Sequence, residues 1–479
     1  MTTPAPDVAV IGGGIAGLTT AYDLHRRGIP FLLLEGSGRC GGVVRTERAD
    51  GFLMEAGPDT LLAQKPEALQ LCRELSLAER LVPTNTEQRT VFVLHGRKLH
   101  RLPDGMVLGV PTRLGPLART RLFTWRGKLR MALDVALPRG AANRDESIAS
   151  FFRRRLGREA LERLGAPFLA GIHAGDAERL SVRATFPRLA DMEARHGSLI
   201  RALVAARPRG EVPPPMFYSL QGGLSELVEA LLARLPSDRL RLGAPVVALG
   251  REGGAYVARV GGGEAVRART VVVALPAPRA APLIAPLDAE AGALLAAIPF
   301  ASTAVVYHGY RRRAVAHPLD GYGLIVPEGE GLRTSACTFF STKFPGRAPD
   351  DHVLLRGFLG GARDPGILAD DDAALADRVD REMAPILGLS GPPVLSRVFR
   401  WPSATPQMEV GHLDRAVALD RRLAGVPGLF LTGAGLRGTG IPDTVADARR
   451  TAAAVFDYGA GNNIPSGTYR EEDVRPRSS

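Results

Sequence analysis

Cysteine is scarce in this chain, and tryptophan scarcer. Three cysteines (Cys40, Cys72 and Cys337) lie far apart among 479 residues, with no C-x-x-C pair and no Cys/His cluster. That spacing gives neither a disulfide framework nor a zinc site, so no metal is expected, and it fits a reducing cytosol. No run of 18 or more uncharged apolar residues occurs, which argues against a transmembrane helix. The first apolar strand begins within seven residues of Met1, leaving no room for a signal or transit peptide. No Ser/His/Asp or paired-carboxylate constellation stands out either. The chain is basic, yet it has no helix-turn-helix, zinc-finger or RNA-binding signature, so nucleic acid is not expected as a partner.

What is present is an ordinary globular composition, 45% hydrophobic and 23% charged, over a length that suits two or three domains. The net charge of +11 is concentrated. Between Arg89 and Arg139 there are 11 Lys/Arg against two acids, a local net of +9. From Arg113 to Arg130 the basic residues interleave with Leu114, Leu117, Leu122, Phe123, Trp125, Leu129 and Met131. One reading is an interfacial segment for an anionic membrane surface. The other is a solvated basic face.

The chain is organised around its first forty-six residues. Val8-Ala9-Val10-Ile11 reads as a buried parallel strand. It runs straight into Gly12-Gly13-Gly14-Ile15-Ala16-Gly17, in which Gly12, Gly14 and Gly17 form G-x-G-x-x-G. The first glycine allows the tight turn, the second lets backbone approach a pyrophosphate, and the third lets helix and strand pack closely. A helix from Ala16 to Gly28 would offer its free N–H groups to phosphate. A second strand, Phe31 to Leu34, delivers Glu35, 18 residues past Gly17, where an acid meets ribose hydroxyls. That favours FAD or NAD over NADP. A second glycine- and arginine-rich turn follows at once, Gly36 to Thr46, with Arg39 in reach of phosphate and Gly41-Gly42 able to lie against a flat ligand. This turn resembles the extended N-terminal signature of the flavin amine oxidase, phytoene desaturase and protoporphyrinogen oxidase superfamily, which implies FAD.

Further on, Gly51 to Thr60 reads as a strand closing on Gly57-Pro58, and in that superfamily the matching turn lies beside the flavin ring. Pro66 to Leu77 reads as a helix, and Val91 to Leu94 with Lys98 to Leu102 as a hairpin. Pro103 to Arg207 has mostly helical periodicity. Within it, Leu169 to Asp176 is a small-residue break, open to two readings: room for a large flat substrate, or a plain helix–helix turn. His173 there reads as a structural or surface histidine rather than a general base. Pro213-Pro214-Pro215 marks a linker, and Tyr218 to Leu224 is expected to open a helix to Leu235. Leu240 to Leu249 and Ala255 to Val260 read as meander strands, and Val271 to Leu275 as a buried strand. Phe339 and Phe340 read as core or as pocket lining. Near the C-terminus, Leu429 to Gly435 runs from strand to glycine-rich loop, and a helix follows from Pro442 to Tyr458.

Several stretches sharpen the resemblance: Ser150 to Gly157, Ala170 to Asp176, Phe399 to Pro402 and Gly438 to Asp443. Together they are similar to the oxygen-dependent protoporphyrinogen oxidases, most of all the bacterial branch, some of whose members prefer coproporphyrinogen III. The resemblance spans about residue 7 to 458. It implies a mixed α/β (α+β) chain with a Rossmann-like FAD domain of the para-hydroxybenzoate-hydroxylase type, here residues 1–88, 215–285 and 396–458. A helical, basic, membrane-associating insertion takes residues 89–210, an α+β substrate domain 286–395, and a disordered tail 459–479.

By match, FAD is held by Gly12, Gly13, Gly14, Ile15, Ala16, Gly17, Glu35, Gly36, Arg39, Gly42, Gly57, Pro58, Asp59, Thr60, Val247, Trp401, Thr439, Gly440 and Ile441. Gly171 to Gly175 would line the substrate. Arg89 is the nearest candidate for a propionate partner, one residue out of the family spacing. Thr439 and Thr444 depart from the valine and cysteine of many relatives. The implied reaction oxidises protoporphyrinogen IX or coproporphyrinogen III to the porphyrin, with oxygen as acceptor and hydrogen peroxide released, in haem biosynthesis. Such chemistry asks for positioning and a desolvated pocket more than for a strong acid or base. The implied protein is cytoplasmic, peripheral on the inner membrane face, a monomer or homodimer, with haem-pathway enzymes as further partners. Rival readings are an amine oxidase or carotenoid desaturase on the same fold, and a binding protein of the Rab-escort or GDP-dissociation-inhibitor type. Against the last stand the intact Gly12, Gly14, Gly17 and Glu35. Only two tryptophans, Trp125 and Trp401, are available for an amine oxidase's aromatic cage.

Overall fold

The computed structural model describes residues 6–140, 144–206 and 215–461. Most of the triple-proline linker and nearly all of the C-terminal tail lie outside the described residues.

The apolar run at Val8–Ile11 is continuous because both of its faces are covered. It is the central strand of a five-stranded parallel sheet ordered Leu240–Arg241, Phe31–Leu34, Val8–Ile11, Thr270–Val273, Leu429–Leu431. Side chains alternate across the pleat. Val8, Val10, Phe31, Leu33, Val272 and Phe430 face one core, with the helices Ile15–Arg26 and Ile441–Gly459. Ala9, Ile11, Leu32, Leu34, Val271, Val273, Leu429 and Leu431 face the other, with the helices Ala277–Ile284, Ala289–Ala296 and His412–Ala424. Val10 and Leu33 are fully buried, and burial of each such side chain contributes about 1.5–3 kcal/mol.

Two elements differ from their sequence reading. Phe217–Leu220 is a strand between Leu61–Leu62 and Leu81–Pro83, and the helix starts only at Ser225, after the turn at Gly222-Gly223. Leu240–Arg241 joins the parallel sheet, so the meander is Val246–Glu252, Ala255–Val260 and Ala265–Ala268.

A second sheet has seven strands, ordered Leu395–Pro406, Phe300–Arg311, His352–Gly360, Ala336–Phe339, Gly323–Ile325, Val91–His95, Lys98–Arg101. Helix Asp372–Leu387 buries Leu375, Val379, Met383 and Leu387 against it. This sheet corrects the sequence boundaries. The hairpin at 91–101 is no part of the helical insertion, because Val91–Val93 pairs in parallel with Gly323–Ile325. Residues 396–406 likewise pair along Phe300–Gly309 rather than within the first sheet. Phe339 and Phe340 are fully buried and belong to the core.

The helical insertion has a core of its own, which includes Leu117, Leu122, Phe123, Met131, Phe151 and Phe152. At its centre the buried Arg155 donates Nε to Asp134 at 2.6 Å and Nη2 to the Gly197 carbonyl at 2.8 Å. Asp134 also accepts from Ser198 Oγ at 2.6 Å and Ile200 N at 3.0 Å. Of the interleaved apolar residues, Leu114, Trp125 and Leu129 are about two-thirds exposed, beside exposed Arg113, Arg119, Arg121 and Arg126. Leu117, Leu122, Phe123 and Met131 are core residues and present nothing to a surface.

Candidate functional site

The first glycine turn is shaped by three different constraints. Gly12 has φ +109°, and a Cβ there would lie 2.6 Å from the Ala274 carbonyl oxygen. At Gly17 a Cβ would sit 1.8 Å from the Gly12 oxygen, so helix and strand could not close. Gly14 differs: its backbone is ordinary, φ −71°, and a Cβ would meet nothing within 4 Å. The space over Gly14 is therefore open. Gly14 is also the N-cap of helix Ile15–Arg26 and contributes no side-chain cap, so the helix N-terminus is available to an anion. Ile15 and Ala16 bury their side chains and offer backbone alone.

Glu35 stands at the end of the second strand. Its carboxylate accepts from Gly13 N at 2.6 Å and from Ser37 N and Oγ at 2.8 and 2.7 Å. The second glycine turn folds back on the first, with Gly41 N donating to the Gly13 carbonyl at 2.8 Å. Arg39 braces that turn by donating to the Gly42 carbonyl at 2.6 Å. Gly36 packs on Pro245, two residues before Val247. Val247 is 63% exposed at a bulge in its strand, so it faces open space rather than core.

In the turn after the strand Phe52–Glu55, a Cβ on Gly57 would lie 2.1 Å from the Val43 oxygen. Trp401 joins this turn from the seven-stranded sheet, donating Nε1 to the Ala56 carbonyl at 2.6 Å. Asp59, in the same turn after Pro58, is ion-paired to Lys343 at 2.8 Å and Arg356 at 3.1 Å. Burial alone would raise its carboxyl; the two cations and the Thr60 hydroxyl outweigh that and hold it at about 2. Behind the turn, burial pushes the Glu55 carboxyl up to about 7, although Leu224 N and Thr46 Oγ1 donate to it at 2.7 and 2.8 Å.

The C-terminal loop is fixed by buried charge. Arg437 is buried between Asp420 and Asp447. Asp447 in turn accepts from Thr432 Oγ1 at 2.8 Å and Gly433 N at 3.1 Å, which fixes the start of the loop. The loop leads through Thr439 and Gly440 into helix Ile441–Gly459, with Pro442 in its first turn, and Ile441 buried. Against this loop lies the small-residue segment. His173 Nδ1 is 3.3 Å from Thr439 Oγ1, and Gln407 Nε2 donates to the His173 carbonyl at 2.9 Å. Burial, aided by Lys65 and opposed by Asp443, lowers the imidazole to about 4. Gly171 is exposed with open space around it, whereas Gly175 is wedged against Leu180 and Gln407.

Of the residues named from sequence, hydrogen bonds join Gly13 to Glu35, Trp401 to the Ala56 carbonyl beside Gly57, and Thr439 to His173; four residues that brace these segments were not named. Lys343, Arg356 and Asp447 each act on a loop from another element, and Arg437, within the C-terminal loop, takes its partners Asp420 and Asp447 from two helices, so none had a local signal. Arg89 bonds locally, Nε to the Thr86 carbonyl at 2.9 Å, in a turn that adjoins Lys343 through Asn85 N. Among the described residues, no cluster of His, Cys, Asp or Glu could hold a metal. Nor, among them, is any helix long and apolar enough to cross a membrane.

Known proteins match this chain over nearly its whole length. The family profile described as flavin containing amine oxidoreductase matches residues 15–456. A coproporphyrinogen III oxidase of Bacillus subtilis is 34% identical over 94% of this chain and 98% of its own length. One from Propionibacterium freudenreichii is also 34% identical, over 95% of this chain and 92% of its own. A crystal structure from Exiguobacterium, described provisionally as a protoporphyrinogen oxidase, superposes with TM-score 0.84 at 32% identity, covering 94% of this chain and 98% of that one. The glycine cradle and this family match agree, and the chain belongs to the flavin-containing amine oxidoreductases.

Proposed function

We propose that this protein is an FAD-dependent porphyrinogen oxidase of haem biosynthesis, with coproporphyrinogen III as its preferred substrate and oxygen as electron acceptor. The observation that carries the reading is the meeting of segment 171–175 with the loop at 438–441, in a chain whose bacterial relatives along nearly full length bear that name. The cofactor fits the residues present: open space over Gly14 at a helix N-terminus suits a pyrophosphate, and Glu35 suits ribose. FAD, when bound, supplies the acceptor for hydride and passes electrons on to oxygen.

The rest is the work of this chain's residues. The Gly57–Thr60 turn and the loop at 438–441 would hold the two sides of the flavin ring. The N-terminus of helix Ile441–Gly459 would stabilise negative charge there. Asp59 locks Lys343 and Arg356 in place, and Arg356 donates to the Gly57 carbonyl, so the turn is rigid before any ligand arrives. His173, kept neutral, adds no positive charge to a site that must tolerate electron-poor intermediates.

Steady-state assays with coproporphyrinogen III and protoporphyrinogen IX test this. The expected result is porphyrin fluorescence above the non-enzymatic blank, hydrogen peroxide in proportion, and a higher kcat/KM for coproporphyrinogen III. Flavin-loaded protein that forms no porphyrin from either would refute it.

The protein is further proposed to sit peripherally on the cytoplasmic membrane face through Leu114, Trp125 and Leu129 with Arg113, Arg119, Arg121 and Arg126. Charge reversal of Arg119, Arg121 and Arg126 to Glu should release it from vesicles rich in anionic lipid. Undiminished binding of that triple variant would contradict the proposal.

A further inference from the structure

We infer that His173 is a positioning residue that turns the Thr439 hydroxyl into an acceptor for a ring N–H of the bound ligands. The inference rests on the porphyrinogen oxidase reading, since the ring N–H comes from the tetrapyrrole or from the flavin.

The imidazole is held rigidly. Its backbone carbonyl accepts from the buried Gln407, and its ring stands edge-on to Phe186 at 5.3 Å. The next residue, Ala174, has φ +47°, a left-handed conformation unfavourable for a non-glycine residue. Ala362 N secures the Ala174 carbonyl at 2.8 Å. Strain of this kind persists only where the surroundings over-determine it, and it concentrates at functional sites. From the other side Gly440 N donates to Asp443 at 3.2 Å, and Asp443 pairs with Lys65 at 2.6 Å. Lys65 and Asp443 are the charged groups facing the imidazole, and burial with Lys65 keeps it neutral at ordinary pH.

A neutral imidazole in its Nε2–H form, the more stable one in isolation, has a lone pair on Nδ1. The 3.3 Å contact then takes the one proton that the Thr439 hydroxyl can donate. What the hydroxyl still offers is lone pairs, on a half-buried residue flanked by Gly438 and Gly440. Such a group accepts from N–H and repels another lone pair. All the pyrroles of a porphyrinogen carry N–H, whereas a porphyrin has lost half of them. An acceptor-only hydroxyl therefore holds the reduced substrate and helps to expel the oxidised product.

The test uses the holoenzyme and its T439V, T439S, H173Q and H173F variants. Spectra of 15N-histidine-labelled wild type should show His173 unprotonated at Nδ1, with that resonance shifted in T439V. If the tetrapyrrole supplies the N–H, T439V and H173F should raise KM for the porphyrinogen about threefold to tenfold and tighten inhibition by the porphyrin by a similar factor. If the flavin supplies it, the dissociation constant of FAD from the apoprotein should weaken by that factor instead. T439S should restore wild-type values, and H173Q, which can still accept from Thr439 through its side-chain oxygen, should fall between. A protonated Nδ1 overturns the inference, as does a flavin-loaded T439V equal to wild type in all three constants. Failure of the wild type to oxidise any porphyrinogen would sink the functional reading instead, and the spectra and FAD titration would still decide the role of His173.

Discussion

Substituting Gly14 with alanine separates cofactor binding from folding, because the structure gives the two opposite sensitivities at this position. Gly14 has φ −71° and ψ −178°, a conformation any residue adopts, and an added methyl meets nothing within 4 Å. G14A should therefore change the stability of the apoprotein by less than about 0.5 kcal/mol. The same methyl fills the space through which backbone N–H groups at the helix N-terminus would reach a pyrophosphate. Charge-assisted hydrogen bonds contribute about 1.5–3 kcal/mol each, so losing two of them costs about 3 kcal/mol or more, roughly a 100-fold weaker FAD affinity. Titration of apoprotein with FAD, followed by flavin fluorescence, measures the affinity, and circular-dichroism melting of the apoprotein measures the fold. G17A is the contrast: its methyl would lie 1.8 Å from the Gly12 oxygen, so it should damage the fold as well. Wild-type FAD affinity in a folded G14A would refute the assignment of this cradle to the pyrophosphate.

Two further perturbations follow from buried charge. Arg155→Met leaves Asp134 buried without its cation and should cost about 3–5 kcal/mol, and adding Asp134→Leu should recover most of it; urea denaturation reads both. A loss under about 1 kcal/mol for the single variant would contradict the pairing. Glu55 tests pH dependence. Its folded carboxyl titrates near 7 against an ordinary 4.5, so the folded state holds the extra proton, and stability falls as pH rises through that window. Glu55→Gln, which cannot ionise, should flatten the decline seen in melting curves between those pH values. An unchanged slope would show that Glu55 is not its source.

The dinucleotide half of the fold was legible because its signals are local. A strand, a glycine turn, a helix and an acid fall within 28 residues, from Val8 to Glu35, and their contacts are mostly with each other. The same holds for the Leu429–Leu431 strand and the helix after it. What local pattern could not deliver was pairing at a distance. Leu240–Arg241 resembles the meander that follows it, and only the register of Leu33 and Leu34 makes it an edge of the parallel sheet. The 91–101 hairpin abuts the helical insertion in sequence, and a parallel pairing with residues 323–325 pulls it elsewhere. Asp59 read as a flavin contact, and its partners Lys343 and Arg356 sit almost 300 residues on. His173 read as a structural or surface histidine. Its contact with Thr439 joins two stretches that sequence had assigned separately to substrate and cofactor. In the basic segment, short helices left no period long enough to tell the exposed Trp125 and Leu129 from the buried Phe123 and Met131.

Everything proposed for this protein turns on a bound flavin that oxidises a porphyrinogen. Anaerobic mixing of the purified, flavin-loaded protein with coproporphyrinogen III and, separately, with protoporphyrinogen IX tests it most directly, with flavin absorbance as the signal. Bleaching by both is expected, faster with coproporphyrinogen III, with porphyrin fluorescence when air is readmitted. A yellow protein that neither compound bleaches would contradict it.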